Sequence, residues 1–109
     1  MTVTPTQLTL RALRNDGWPL VEVVERWLPA QRIRKDLFGF VDVIAVGHPD
    51  RPGALLVQAT SATNVAARTR KIADHPNLAA VREAGCFQIE VWGWAKKGHR
   101  WQVRKVGVT

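Results

Sequence analysis

Two apolar runs on either side of one turn constrain this chain more than any other feature. FGFVDVIAV (residues 38–46) and LLVQATS (55–61) flank HPDRPG (48–53), which packs two prolines, an aspartate and a glycine into its length. That is turn chemistry, so the runs read as antiparallel neighbours in the middle of a sheet. Both nevertheless carry polar groups where further apolar residues are expected: Asp42 in the first, Gln58 and Thr60 in the second. Leaving a carboxylate unpaired inside a sheet costs several kcal/mol or shifts its pKa, and an unpaired amide costs about 2 kcal/mol or more. These three residues must therefore be paired or put to use.

The remaining elements follow from local signals. Thr4 and Pro5 suit the N-cap and first position of a helix carrying the stripe Leu8, Ala12 and Leu13, and Gly17 is placed to end it. PLVEVVERWL (19–28) is rich in β-branched residues and reads as one strand. PAQRIRKD then reads as a basic connection or strand start. SATN supplies caps for a helix over residues 64–73, restarted at Pro76 and closed by Gly85. CFQIEVWGW and RWQVRKVGV are two strands whose link, AKKGH, contains Gly98 and predicts a hairpin. The order α-β-β-β-α-β-β implies an α/β chain, residues 1–109 forming one domain, with a mixed sheet of about five strands flanked by helices.

Strand alternation puts Phe38, Phe40, Asp42, Ile44 and Val46 on one face of the first run, and Gln58 and Thr60 on one face of the second. Antiparallel pairing then sets Asp42 beside Gln58. Two chemistries fit. The polar groups hydrogen-bond to one another or to nearby backbone, as most buried polar groups do. Alternatively a carboxylate oxygen of Asp42, the amide oxygen of Gln58 and the carbonyl of Ala59 form a hard oxygen pocket for Mg²⁺ or Mn²⁺.

Charge suits an anionic partner, and equally a generally basic, soluble protein. Sixteen Lys and Arg against nine Asp and Glu leave a formal charge of +7 on 109 residues. The basic residues cluster at Arg32, Arg34 and Lys35, at Arg68, Arg70 and Lys71, and at Lys96, Lys97 and Arg100. Such clusters hold a nucleic-acid backbone through its phosphates, although a helical cluster also suits a solvated face. Trp92, Trp94 and Trp101 flank the expected hairpin and either stack on unpaired bases or pack within the sheet. His48, His75 and His99 are scattered near turns without zinc spacing and read as solvated. Cys86 is the single cysteine, so no disulfide forms within the chain. No membrane-spanning run and no basic, apolar leader is visible, which together predict a cytoplasmic setting and no membrane partner.

The element order, the G-F-V-D stretch ending at Asp42 and the Q-A-T of residues 58–60 resemble the PD-(D/E)XK nuclease superfamily. The resemblance runs from the first helix to at least Trp94 and is nearest to small phage nucleases and Holliday-junction resolvases. It implies a restriction-endonuclease-like core and a metal-dependent endonuclease acting on branched or otherwise structured DNA, with Mg²⁺ (or Mn²⁺) held by Asp42, Gln58 and the Ala59 carbonyl. The motif's aspartate falls on Asp42, its acidic position on Gln58 and its lysine on Thr60. Gln58 thus keeps an oxygen and loses a charge, and Thr60 lacks the ammonium that positions the attacking water. Asn64, Arg68 and Lys71 share a helix face, which makes Lys71 the candidate replacement and Arg68 a candidate phosphate ligand. Glu25 and Asp36 are candidate replacement acids, although Glu22 and Glu25 also suit an edge strand facing water. Two rivals remain: a nuclease-fold protein that binds nucleic acid or a protein without cutting, and a basic assembly protein with an inert polar core. Resolving a symmetric junction takes two sites, which fits a homodimer.

Overall fold

The computed structural model describes residues 3–108. Helix α1 (Pro5–Asn15) begins in a capping box. The Thr4 hydroxyl accepts from the Gln7 N–H at 3.2 Å, and the Gln7 side chain accepts from the Thr4 N–H at 3.0 Å. Strand β1 (Leu20–Val23) follows, and β2 (Arg26–Leu28) and β3 (Ile33–Lys35) form a separate two-stranded hairpin. Next come β4 (Val43–Val46) and β5 (Ala54–Ser61), then one 3₁₀ turn leading into α2 (Val65–Ala73). The short α3 (Leu78–Glu83), β6 (Phe87–Lys97) and β7 (Arg100–Gly107) complete the chain.

The main sheet has the order β1-β4-β5-β6-β7. Strands β1, β4 and β5 run antiparallel, β6 lies parallel to β5 after the helical crossover, and β7 returns antiparallel to β6. The chain is therefore α/β with a mixed five-stranded sheet and helices. Alternation splits the core into two layers. Val43, Ala45, Leu55, Val57, Trp92 and Trp94 face α1, whereas Leu56, Ile89 and Val91 pack with Val65, Ile72, Leu78 and Val81 beneath α2 and α3. Gly93 lets α2 approach the sheet, since a Cβ there would run into Val65 and the Ala62 backbone.

Two expected strands are shorter than the sequence implies. Residues 19–28 do not form one strand: β1 ends at Val23, and Arg26–Leu28 turns away to pair with Ile33–Lys35. The run 38–46 does not alternate throughout either. Residues 37–41 form a tight turn, with the Phe40 and Val41 N–H groups both donating to the Leu37 carbonyl. Phe38 and Gly39 take φ of 58° and 89° in that turn. Phe38 is consequently exposed, Phe40 is buried under α2 and α3, and only residues 43–46 extend as strand.

Candidate metal and nucleic-acid site

Asp42 sits immediately before β4, with its backbone held from both sides. Its N–H donates to the Val57 carbonyl at 2.9 Å, and its carbonyl accepts from the Val24 N–H at 2.8 Å. The side chain is 5% exposed. Its Oδ2 accepts from the Gln58 amide nitrogen at 2.8 Å and from the Ala59 N–H at 2.9 Å. In an extended strand a residue's N–H and C=O leave on the same side, so the Ala59 carbonyl also faces β4.

Of the two chemistries open to Gln58, the structure shows the hydrogen bond with Asp42. The Gln58 amide donates to Asp42 and so orients the carboxylate, instead of offering an oxygen alongside it. Thr60 follows Leu56 and Gln58 onto the α2 side, 5% exposed, and brings no charge. Lys71 is exposed on α2, and Arg68 is half-buried on the same helix. The charge that acts on Asp42 is that of Asp36.

The missing acids come from elsewhere. One carboxylate oxygen each from Glu25, Asp36 and Asp42 lies within 4.8 Å of the others. Glu25 is carried in by the break between β1 and β2, and Asp36 by the end of β3 as the chain enters the 37–41 turn. The features that spoiled the simple strand pattern are those that assemble this cluster. Arg34 reaches across the hairpin to Glu25 at 3.2 Å, from a side chain that is largely exposed.

Burial pushes the Asp42 carboxyl up from the usual 3.8 to about 7. The Ala59 N–H opposes the rise, the negative charge of Asp36 adds to it, the Gln58 amide opposes it, and a hydrogen bond with Asp36 favours the protonated form. Three carboxylates thus crowd a site whose deepest member is difficult to ionise. The donors are all hard oxygens, the type Mg²⁺ and Mn²⁺ take.

The basic groups flank the same end of the sheet. Strands β1, β5 and β6 run towards it, and β4 starts from it, so Glu25, Asp42, Ser61 and the β6–β7 turn all lie there. The β2–β3 hairpin places Arg32, Arg34 and Lys35 in solvent on one side, and Lys96, Lys97 and Arg100 extend beyond the end of β5 on the other. Trp92 and Trp94 are buried, and their Nε1 groups donate to Glu90 and Thr9 at 2.9 and 3.0 Å, so neither is free to stack on a base. Trp101 is 40% exposed with the Lys96 ammonium 5.8 Å from its ring centre.

Next to Asp36 opens a groove of 560 Å³ whose walls include Arg26, Lys35, Phe38, His75 and Asn77. Sequence reasoning passed over it, treating His48 and His75 as solvated. His48 instead donates from Nε2 to the Asp16 carbonyl, 2.9 Å away, and stacks obliquely on Trp18. His75 is half-buried, edge-on to Phe40 at 5.2 Å. The pair Phe38-Gly39 was the available signal, since a glycine inside an apolar run often marks a bend.

No protein-family model, curated protein or solved structure matches the chain. Among the described residues no helix is long and apolar enough to cross a membrane.

Proposed function

We propose that the chain is a metal-dependent endonuclease-like protein acting on structured DNA, built on a restriction-endonuclease-like core of the PD-(D/E)XK kind. The observation that carries this reading is the convergence of Glu25, Asp36 and Asp42 between two basic hairpins. Asp42 is the principal ligand, Asp36 and Glu25 complete the charge that Gln58 does not supply, and the Ala59 carbonyl faces the same space. Held by these residues, Mg²⁺ or Mn²⁺ would supply an activated water and offset charge on the scissile phosphate. The protein's own residues do the rest. Gln58 and the Ala59 N–H fix the rotamer of Asp42, Arg34 holds Glu25, and the hairpin cations seat the flanking phosphates. Arg34, paired with Glu25 at 3.2 Å, replaces Lys71 as the basic residue at the cluster. A second copy would supply the second cut at a symmetric junction.

Calorimetric titration with Mn²⁺ and Mg²⁺ at pH 7.5 tests the metal site without requiring turnover. Wild type should bind one ion in the cluster, and Asp42→Asn and Asp36→Asn should each lose that binding while keeping the fold. Undiminished binding by both variants would place the ion elsewhere.

A second reading, binding without cutting, is favoured by one specific observation: the strand position of the motif lysine is the buried, uncharged Thr60, and Lys71 is exposed on α2. It shares the metal and DNA sites and differs only in turnover.

A further inference from the structure

The groove beside Asp36 has a feature that the proposed cleavage chemistry does not use. Phe38 is a large apolar side chain, 41% exposed, at the head of a turn whose backbone it does not favour: φ is +58°, a region that glycine enters readily and a bulky residue rarely. The turn is clamped from the helical layer. Asn77 donates its side-chain N–H to the Phe38 carbonyl at 2.9 Å, and the His75 ring packs against Gly39, where a Cβ would collide with it. His75 is itself oriented, because its Nδ1 accepts from the Asn77 N–H at 3.1 Å, which leaves the hydrogen on Nε2 in the neutral ring. The result is an aromatic held outward at the wall of a groove that also contains Arg26 and Lys35 and ends at the acid cluster.

Resting on the nuclease reading, we infer that this groove receives one unpaired nucleotide of the DNA, its base stacked on Phe38 and its phosphate on Arg26 and Lys35. The occupant follows from the combination of groups. A cleft of 560 Å³ is within the range of about 300–1,000 Å³ that holds small organic ligands. Two cations beside an exposed ring match a phosphate joined to a flat base, the pairing that single-strand-binding surfaces use. A base inside a duplex has both faces covered by its neighbours and its edge paired, so it cannot reach a ring set into a groove wall. Only an extruded, flapped or gap-side nucleotide can do so. The groove therefore selects DNA with an unpaired nucleotide next to the phosphate at the acid cluster, which narrows the substrate class from structured DNA in general.

The test measures binding and stacking in EDTA, where no cutting occurs. Three oligonucleotides serve as probes: a fully paired duplex, the same duplex with one unpaired 2-aminopurine, and a single strand carrying 2-aminopurine. Wild type should prefer the unpaired site over the paired duplex by about tenfold, within the range of one base–aromatic stack, and should quench the 2-aminopurine fluorescence. Phe38→Gly removes the ring at a position where glycine relieves the backbone, so the fold survives. It should abolish both the preference and the quenching while leaving affinity for the paired duplex intact, and Phe38→Tyr should restore both. Quenching and preference that persist in Phe38→Gly, or their absence from wild type, would overturn the inference. In a parallel arm with Mg²⁺ in place of EDTA, cleavage of paired duplex by a wild type that shows no preference would overturn it while sparing the nuclease reading. A stacking preference without metal-dependent cleavage would do the reverse.

Discussion

Replacing Asp42 with Asn should stabilise the protein at pH 8 in metal-free buffer, although Asp42 makes two of the shortest side-chain hydrogen bonds in its site. The asparagine oxygen can accept from both the Gln58 amide and the Ala59 N–H, and its NH₂ can donate to Asp36, so the network survives without the buried charge. Because the carboxyl is raised from 3.8 to about 7 in the fold, folded protein holds this proton between those pH values and unfolded protein does not. The corresponding stability is fully present below about pH 4 and is lost as pH rises towards 7, after which it levels off. At about 1.4 kcal/mol per pH decade the whole loss is about 4 kcal/mol as a ceiling. For a chain of this size that corresponds to about 18 °C in Tm at most. Thermal melts of wild type and Asp42→Asn from pH 4 to 9, with EDTA throughout, give the comparison. The two should coincide near pH 4, and the variant should melt higher by an increasing margin up to about pH 7.5. A variant that melts lower than wild type at pH 8, or that keeps the wild-type pH slope, would refute the claim that a buried, hard-to-ionise carboxyl lies at the centre of the site.

Saturating Mn²⁺ at pH 7.5 should raise the Tm of wild type and not that of Asp42→Asn, because only wild type regains a charge for the cation to bind; differential scanning calorimetry reads it directly. Replacing Lys96, Lys97 and Arg100 together by Ala should weaken binding to all DNA sequences alike and lower the log–log salt slope by up to about 3, measured by fluorescence anisotropy across a salt series. Gly93→Ala should destabilise by about 1–3 kcal/mol in urea melts, since the methyl meets Val65 and the Ala62 backbone in a packed layer. Lys71→Ala should leave cleavage unchanged, given the outward position of that side chain; a strong loss in a quenched-flow assay would return it to the site.

Much of this architecture was legible because local signals agreed with the global pattern. The Thr4-Pro5 start, the HPDRPG turn and Gly98 each name a boundary by their own backbone chemistry, and alternation over LLVQATS put Gln58 and Thr60 on one face. That Asp42 and Gln58 would touch followed from antiparallel pairing alone. What alternation could not supply was the chain path between β1 and β4. Residues 19–28 carry continuous β propensity, yet tertiary pairing with residues 33–35 splits them, and the left-handed turn at Phe38 and Gly39 breaks the period that linked Phe38 to Asp42. Glu25 and Asp36 were candidates, but their approach to Asp42 depends on those two irregular segments and not on strand alternation. Spacing left Gln58 free either to hydrogen-bond to Asp42 or to present its oxygen beside it, and the neighbouring carboxylate turns the amide nitrogen towards itself. Lys71 shared a helix face with Arg68 as read, but a helical period does not say which way that face turns.

The central claim is that the Glu25, Asp36 and Asp42 cluster directs metal-dependent cleavage, and one measurement addresses it most directly. Wild type and Asp42→Asn, matched for fold by circular dichroism, are incubated with labelled duplex, flap and four-way DNAs in Mg²⁺, in Mn²⁺ and in EDTA. The account predicts cleavage of at least one structured DNA by wild type in metal, none in EDTA, and none by the variant under any condition. Cleavage by Asp42→Asn at the wild-type rate, or no cleavage of any DNA by metal-loaded wild type, would contradict it.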